Sequence, residues 1–141
     1  MHLSSRIIFL SLCCLALSGC VSREQADEKL ARACMAGVKV LLPEGTRTGD
    51  IKDRRFSPSP EGQNFRHVTL KAVEMDGYLE NEVDYECVFE ESFGFLKANF
   101  TASVYQVRFH DKVYGKSGNE IQGSFNDFLK LSDAMRKALY E

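Results

Sequence analysis

Apolar residues fall into three rhythms along the chain, and each predicts a different kind of element. The first is a run from Ile7 to Leu17, interrupted only by Ser11 and preceded by the lone charge of Arg6. It is shorter than the roughly 20 residues of a membrane-spanning helix and has the length of a signal-peptide apolar region. The second rhythm is helical. Leu30, Cys34, Val38 and Leu41 recur at three to four residues with Ala33 and Gly37 beside them, while Glu24, Asp27, Glu28, Arg32 and Lys39 take the other phases. This predicts an amphipathic helix from about Arg23 to Leu42. Ser22 with Gln25 three residues on reads as a capping box at its start, and Pro43 ends it because proline lacks an amide hydrogen. A second helix follows Gly123, capped by Ser124 with Asp127, with Phe125, Phe128, Leu129, Met135, Ala138 and Leu139 at helical spacing.

The third rhythm has period two and occupies Phe65 to Phe109. Val68, Leu70 and Ala72 alternate with His67, Thr69 and Lys71, and Asp76-Gly77 then offers a turn. Val83, Tyr85, Cys87 and Phe89 alternate with Asp84, Glu86 and Glu90. From Phe100, Tyr105, Val107 and Phe109 share one face and Val104 takes the other, before a short strand at Val113 and Tyr114. These patterns predict three or four antiparallel strands, each with one wet face. Residues 43–64, rich in Gly, Ser, Pro and charge, read as a long polar loop. The expected fold is α+β in two layers: the N-terminal and C-terminal helices pack on a three- to four-stranded antiparallel sheet.

After the apolar run come Leu17-Ser18-Gly19-Cys20, a leucine, two small residues and a cysteine. This resembles the lipobox of bacterial lipoproteins. The resemblance implies that residues 1–19 are removed as a signal peptide, that Cys20 becomes the first residue and carries lipid, and that 20–141 form a single periplasmic domain. It also implies a location, because an aspartate after the lipidated cysteine tends to retain such proteins in the inner membrane. Val21 stands there instead, so the expected site is the periplasmic face of the outer membrane, with the membrane itself as a partner through Cys20. Cys13 and Cys14 sit within the apolar run as small hydrophobes and take no role.

Within 20–141, Ala33-Cys34 on the first helix and Phe93-Gly94 between two strands are similar to features of small secreted bacterial domains built from a helix and a meander. Cys87 precedes the aromatic-glycine turn here, where those domains place their second cysteine after it. The likeness implies a fold and no activity.

With Cys20 lipidated, Cys34 and Cys87 are the remaining thiols, both on apolar phases in an oxidising compartment. They are expected to form a disulfide; the alternative is two buried free thiols. Glu91-Ser92-Phe93-Gly94-Phe95-Leu96 poses a similar choice. Phe93, Phe95 and Leu96 are expected to cap the sheet as core, the alternative being an exposed apolar tip that contacts a partner.

Chemistry is otherwise sparse. Lys and Arg number 18 against 20 Asp and Glu, a balance that offers nucleic acid no footing. His67 and His110 have no companions at metal-ligand spacing, no Gly-x-Ser-x-Gly elbow or phosphate loop is present, and no cofactor or catalytic residue is assigned. Two function classes follow. The first is a noncatalytic, lipid-anchored protein that binds or supports another cell-envelope component, most simply an envelope protein. The second is a small periplasmic enzyme, or an inhibitor of one, acting on cell-wall material.

Overall fold

The computed structural model describes residues 20–141; the signal-peptide reading of 1–19 lies outside the described residues. Helix α1 (Arg23–Lys39) is followed by strands β1 (Thr46–Pro58), β2 (Phe65–Asp76), β3 (Leu79–Phe93), β4 (Phe100–Phe109), β5 (Lys112–Ser117) and β6 (Glu120–Gln122), and then by helix α2 (Phe125–Tyr140). All pairings are antiparallel and the strands lie side by side in chain order. The fold is α+β, with two helices on a sheet of six strands rather than three or four.

Most of the difference lies in residues 43–64, which are not one loop. Thr46–Pro58 form β1, an edge strand with no buried residue. Register shifts between Thr48 and Ile51 and between Ile51 and Asp53 break its alternation, so no stripe of period two is written there. Arg47, Lys52, Arg54 and Arg55 sit on this edge, where charge discourages pairing with another chain. β6 has only three residues, none buried, and leaves no pattern to read.

Alternation also misplaces part of β4. Val88 pairs with Gln106 but Phe89 pairs with Val104, so Tyr105 is an extra residue in the ladder. Val104 therefore packs on the core, while Tyr105 sets its ring edge-on to Phe65 at 4.9 Å. Gly115 lies opposite this bulge with φ of +105°, and a Cβ there would collide with the Tyr105 carbonyl.

The core forms where the predicted stripes meet. Ala26, Leu30, Cys34 and Val38 of α1 lie over Val68, Leu70 and Ala72 of β2 and over Tyr85, Cys87 and Phe89 of β3. Cys34 and Cys87 are bonded, with Cα atoms 5.8 Å apart. α1 begins at the capping box, in which Ser22 Oγ accepts from the Gln25 amide and Gln25 Oε1 accepts from the Ser22 amide. It ends at Lys39, short of Leu42, and the chain turns before Pro43. In α2, Leu131, Met135 and Leu139 are buried, whereas Phe125 and Leu129 are exposed. Ser124 occupies the N-cap, but its side chain makes no capping hydrogen bond. The helices meet where Gly37 faces Met135, and a Cβ at Gly37 would occupy the space of that side chain.

A polar cluster enters the core at Glu74. Glu74 Oε2 accepts from the Tyr85 hydroxyl at 2.7 Å and lies 2.9 Å from His110 Nε2. Burial first, then the hydrogen bond and charge of Glu74, push the Tyr85 pKa well above its ordinary value. The folded state thus favours the neutral phenol. That contribution to stability is complete below about pH 10 and is lost as pH rises from there through the raised folded value. Urea midpoints measured between about pH 9 and 11 should fall less steeply for Tyr85→Phe than for the wild type.

The disulfide spans 53 residues, and closing such a loop restricts the unfolded chain by about 4 kcal/mol in the entropy description. A Cys34→Ala, Cys87→Ala double variant should lose stability of that order in urea. Intact mass after alkylation of the unfolded, unreduced wild type should show neither Cys34 nor Cys87 modified.

Candidate functional site

The described chain begins beside the β3–β4 connection. Cys20 is exposed, and its Sγ lies 3.4 Å from the carbonyl oxygen of Leu96. The Val21 amide donates to the Lys97 carbonyl at 3.0 Å, so the chain is tied to this turn one residue after Cys20. The turn closes through Gly94 N–H to Asn99 O at 2.7 Å and Lys97 N–H to Gly94 O at 2.9 Å. Leu96 and Lys97 have φ of +53° and +58°, a left-handed conformation that side chains with a Cβ rarely adopt.

The expected core segment is divided at this turn. Phe93, the last residue of β3, packs on the core with its ring 5.1 Å from that of Phe100, and the Arg23 guanidinium sits over the same ring, 5.1 Å from its centre. Phe95 and Leu96 are not core: they are 87% and 74% exposed. The physical reason is the reversal itself, since the left-handed pair at Leu96-Lys97 turns the chain outside the layer formed by α1 and the sheet.

Beneath the turn, alternating charges tie α1 to the sheet. Arg23 donates through both terminal nitrogens to Glu91 of β3, at 2.6 and 2.9 Å, and lies 2.7 Å from Asp27. Asp27 in turn accepts from Nε and Nη2 of Arg66 on β2, at 3.0 and 2.7 Å. Asp27, which belongs to the polar phase of the helix by periodicity, is consequently buried. Burial alone would lower the Arg23 pKa, but the hydrogen bonds and charges of Glu91 and Asp27 outweigh it and raise the value. Forked guanidinium–carboxylate pairs that are partly withdrawn from water have stronger directional preference than exposed ion pairs. They hold the first turn of α1, and with it Cys20, at one place over the sheet. A possible sequence signal was the i, i+4 spacing of Arg23 and Asp27; the roles of Glu91 and Arg66 depend on distant segments meeting.

β3 extends from this pole to Leu79 over about 45 Å at 3.3 Å per residue. Its far end joins β2 through Gly77 and Tyr78, where Asp76 pairs with Leu79. Tyr78 and Leu79 are exposed, as are Asp76, Glu80, Glu82 and Asp84 around them. A third feature is a groove of about 530 Å³ between α2 and the first half of β4, walled by Val104, Phe128, Met135 and Leu139. Tyr140 closes one side, its hydroxyl accepting from the Ala102 amide and donating to the Ala102 carbonyl.

Among the described residues no group of three or more His, Cys, Asp or Glu is arranged to hold a metal ion, and no helix is long and apolar enough to cross a membrane. His67 lies 3.4 Å from Glu86, and His110 belongs to the Tyr85–Glu74 cluster. Comparison with known protein families, curated proteins and solved structures finds no match.

The division of the turn is measurable by stability. Phe93→Ala should cost about 2 kcal/mol, somewhat less than deletion of a fully buried ring. Phe95→Ala should stay within about 0.5 kcal/mol of the wild type. Equal losses for both in urea unfolding would show that the turn is packed rather than displayed.

Proposed function

We propose that this protein is a lipid-anchored, noncatalytic component of the cell envelope that binds or supports another envelope protein. Residues 1–19 act as a lipoprotein signal, Cys20 carries the lipid, and Val21 directs the protein to the periplasmic face of the outer membrane. The observation that carries the reading is the separation of two exposed features along one rigid strand. Cys20 stands at the Phe93 end of β3, and the Tyr78-Leu79 hairpin stands at the other end, roughly 45 Å away. With no slack between Cys20 and the fold, an anchor at the first end presents the hairpin away from the membrane. Tyr78 and Leu79 supply apolar contact area, and Asp76 and Glu80 beside them, with Glu82 further along β3, favour a partner surface of basic character.

Labelled fatty acid should enter the wild type and not Cys20→Ala, and the labelled protein should fractionate with outer membranes. A photo-crosslinking residue in place of Tyr78 should give a discrete adduct in intact cells that disappears in Glu80→Lys, Glu82→Lys, whereas the same probe in place of Arg136 on α2 should give none. Failure to crosslink from position 78, together with release of soluble fragments from purified cell wall by the domain, would establish the processing-enzyme reading instead.

A further inference from the structure

We propose that the turn Phe95-Leu96-Lys97 is a second membrane contact, inserting into the interface of the same leaflet that holds the lipid on Cys20 and thereby fixing the tilt of the domain. This rests on the lipidated Cys20 of the preceding reading. Acyl chains carried by Cys20 Sγ would begin 3.4 Å from the Leu96 carbonyl, so the turn cannot be remote from the bilayer surface while the anchor is embedded. The Val21 amide bonded to the Lys97 carbonyl removes the slack that would let the domain swing clear.

The chemistry of the turn suits headgroups and the first carbons of the acyl chains. Phe95 and Leu96 expose most of their surface on adjacent residues. Between Ser92 and Thr101 the single charge is Lys97, exposed, whose aliphatic stem can lie along apolar surface while its ammonium meets lipid phosphate. No acidic side chain occurs in that segment to be repelled by anionic lipid; Glu91, just before it, is occupied by Arg23, and the exposed Glu24 stands on the first turn of α1. The left-handed backbone at Leu96 and Lys97 is held by hydrogen bonds at Gly94, Lys97, Ala98 and Val21, which keep the apolar pair displayed rather than folded back. The exposed pair Tyr78-Leu79, by contrast, lies between Asp76 and Glu80 at the far end of β3.

The chain contains no tryptophan, so Phe95→Trp provides a unique emission reporter at an exposed position. The full lipidated protein is purified and placed in phosphatidylethanolamine–phosphatidylglycerol vesicles with and without brominated acyl chains, and intact mass reports the lipid on Cys20. The expected result is blue-shifted emission and at least twofold quenching by brominated lipid for Phe95→Trp, with neither change for Tyr78→Trp. Adding Leu96→Asp to Phe95→Trp should remove at least half of the quenching. Lipid present by mass with an unquenched, water-like Phe95→Trp reporter overturns the membrane contact and leaves the anchor standing. A blue-shifted but unquenched reporter places the turn in a protein pocket and also overturns it. Quenching at both positions refutes a fixed tilt, and absence of lipid by mass overturns the anchor reading together with this inference.

Discussion

The bond between Cys34 and Cys87 fixes the height of α1 over the sheet, and the remaining architecture is arranged around that point. Cys34 lies in the middle of the helical stripe and Cys87 in the middle of the buried run of β3, so Leu30 and Val38 settle to either side over β2 and β3. Once the helix has this position, its first turn falls at the end of β3, where Glu91 and Arg66 meet Arg23 and Asp27. The covalent tie and the ion pairs act at two separated points on one rigid helix, which removes its freedom to slide or rotate. The chain preceding that helix has no independent position left: Cys20 must emerge beside the β3–β4 turn.

Two kinds of exposed apolar surface then acquire different meanings. Phe95 and Leu96 are held beside Cys20 in a left-handed turn whose own single charge is Lys97. Tyr78 and Leu79 cap a two-residue hairpin among carboxylates, at the end of β3 that α1 does not cover. Isolated exposed apolar residues are ordinary on protein surfaces. They are concentrated at the two ends of one strand, and on the function proposed above the end beside Cys20 faces lipid and the end beside Asp76 and Glu80 faces a basic protein.

The sheet itself is built to stay solitary at its first edge. β1 is long, yet its register shifts and its Arg and Lys residues make a poor template for another strand. The first half of β4 has no strand neighbour beyond β3, and there the Tyr140 hydroxyl engages both backbone groups of Ala102. Satisfying these groups from the last turn of α2 joins the end of the chain to the middle of the sheet, so the C-terminal helix closes the same layer that α1 opens.

The sequence by itself determined what depends on neighbours near in the chain: the capping box at Ser22 and Gln25, the start of α1, the turn after Asp76, and the alternation that places Val68, Leu70, Tyr85 and Cys87 in the core. Those features follow from backbone geometry within a few residues. The pairing of Cys34 with Cys87 is expected from their apolar phases together with the oxidising compartment and the removal of Cys20 from the count, and the structure decided it against two buried free thiols. The tertiary structure alone decided where alternation is interrupted and where charge is buried. β1 carries no apolar stripe because its register shifts break the alternation and only Ile51 and Phe56 reach the core from this edge; Tyr105 leaves its phase because a bulge re-aims the strand; Asp27 is drawn inward because Arg66, distant in sequence, comes to meet it. The split between Phe93 in the core and Phe95 and Leu96 outside it has the same origin. Three apolar residues in four positions look alike to any rule of composition, and only a left-handed turn anchored to the Val21 amide places them in different solvents.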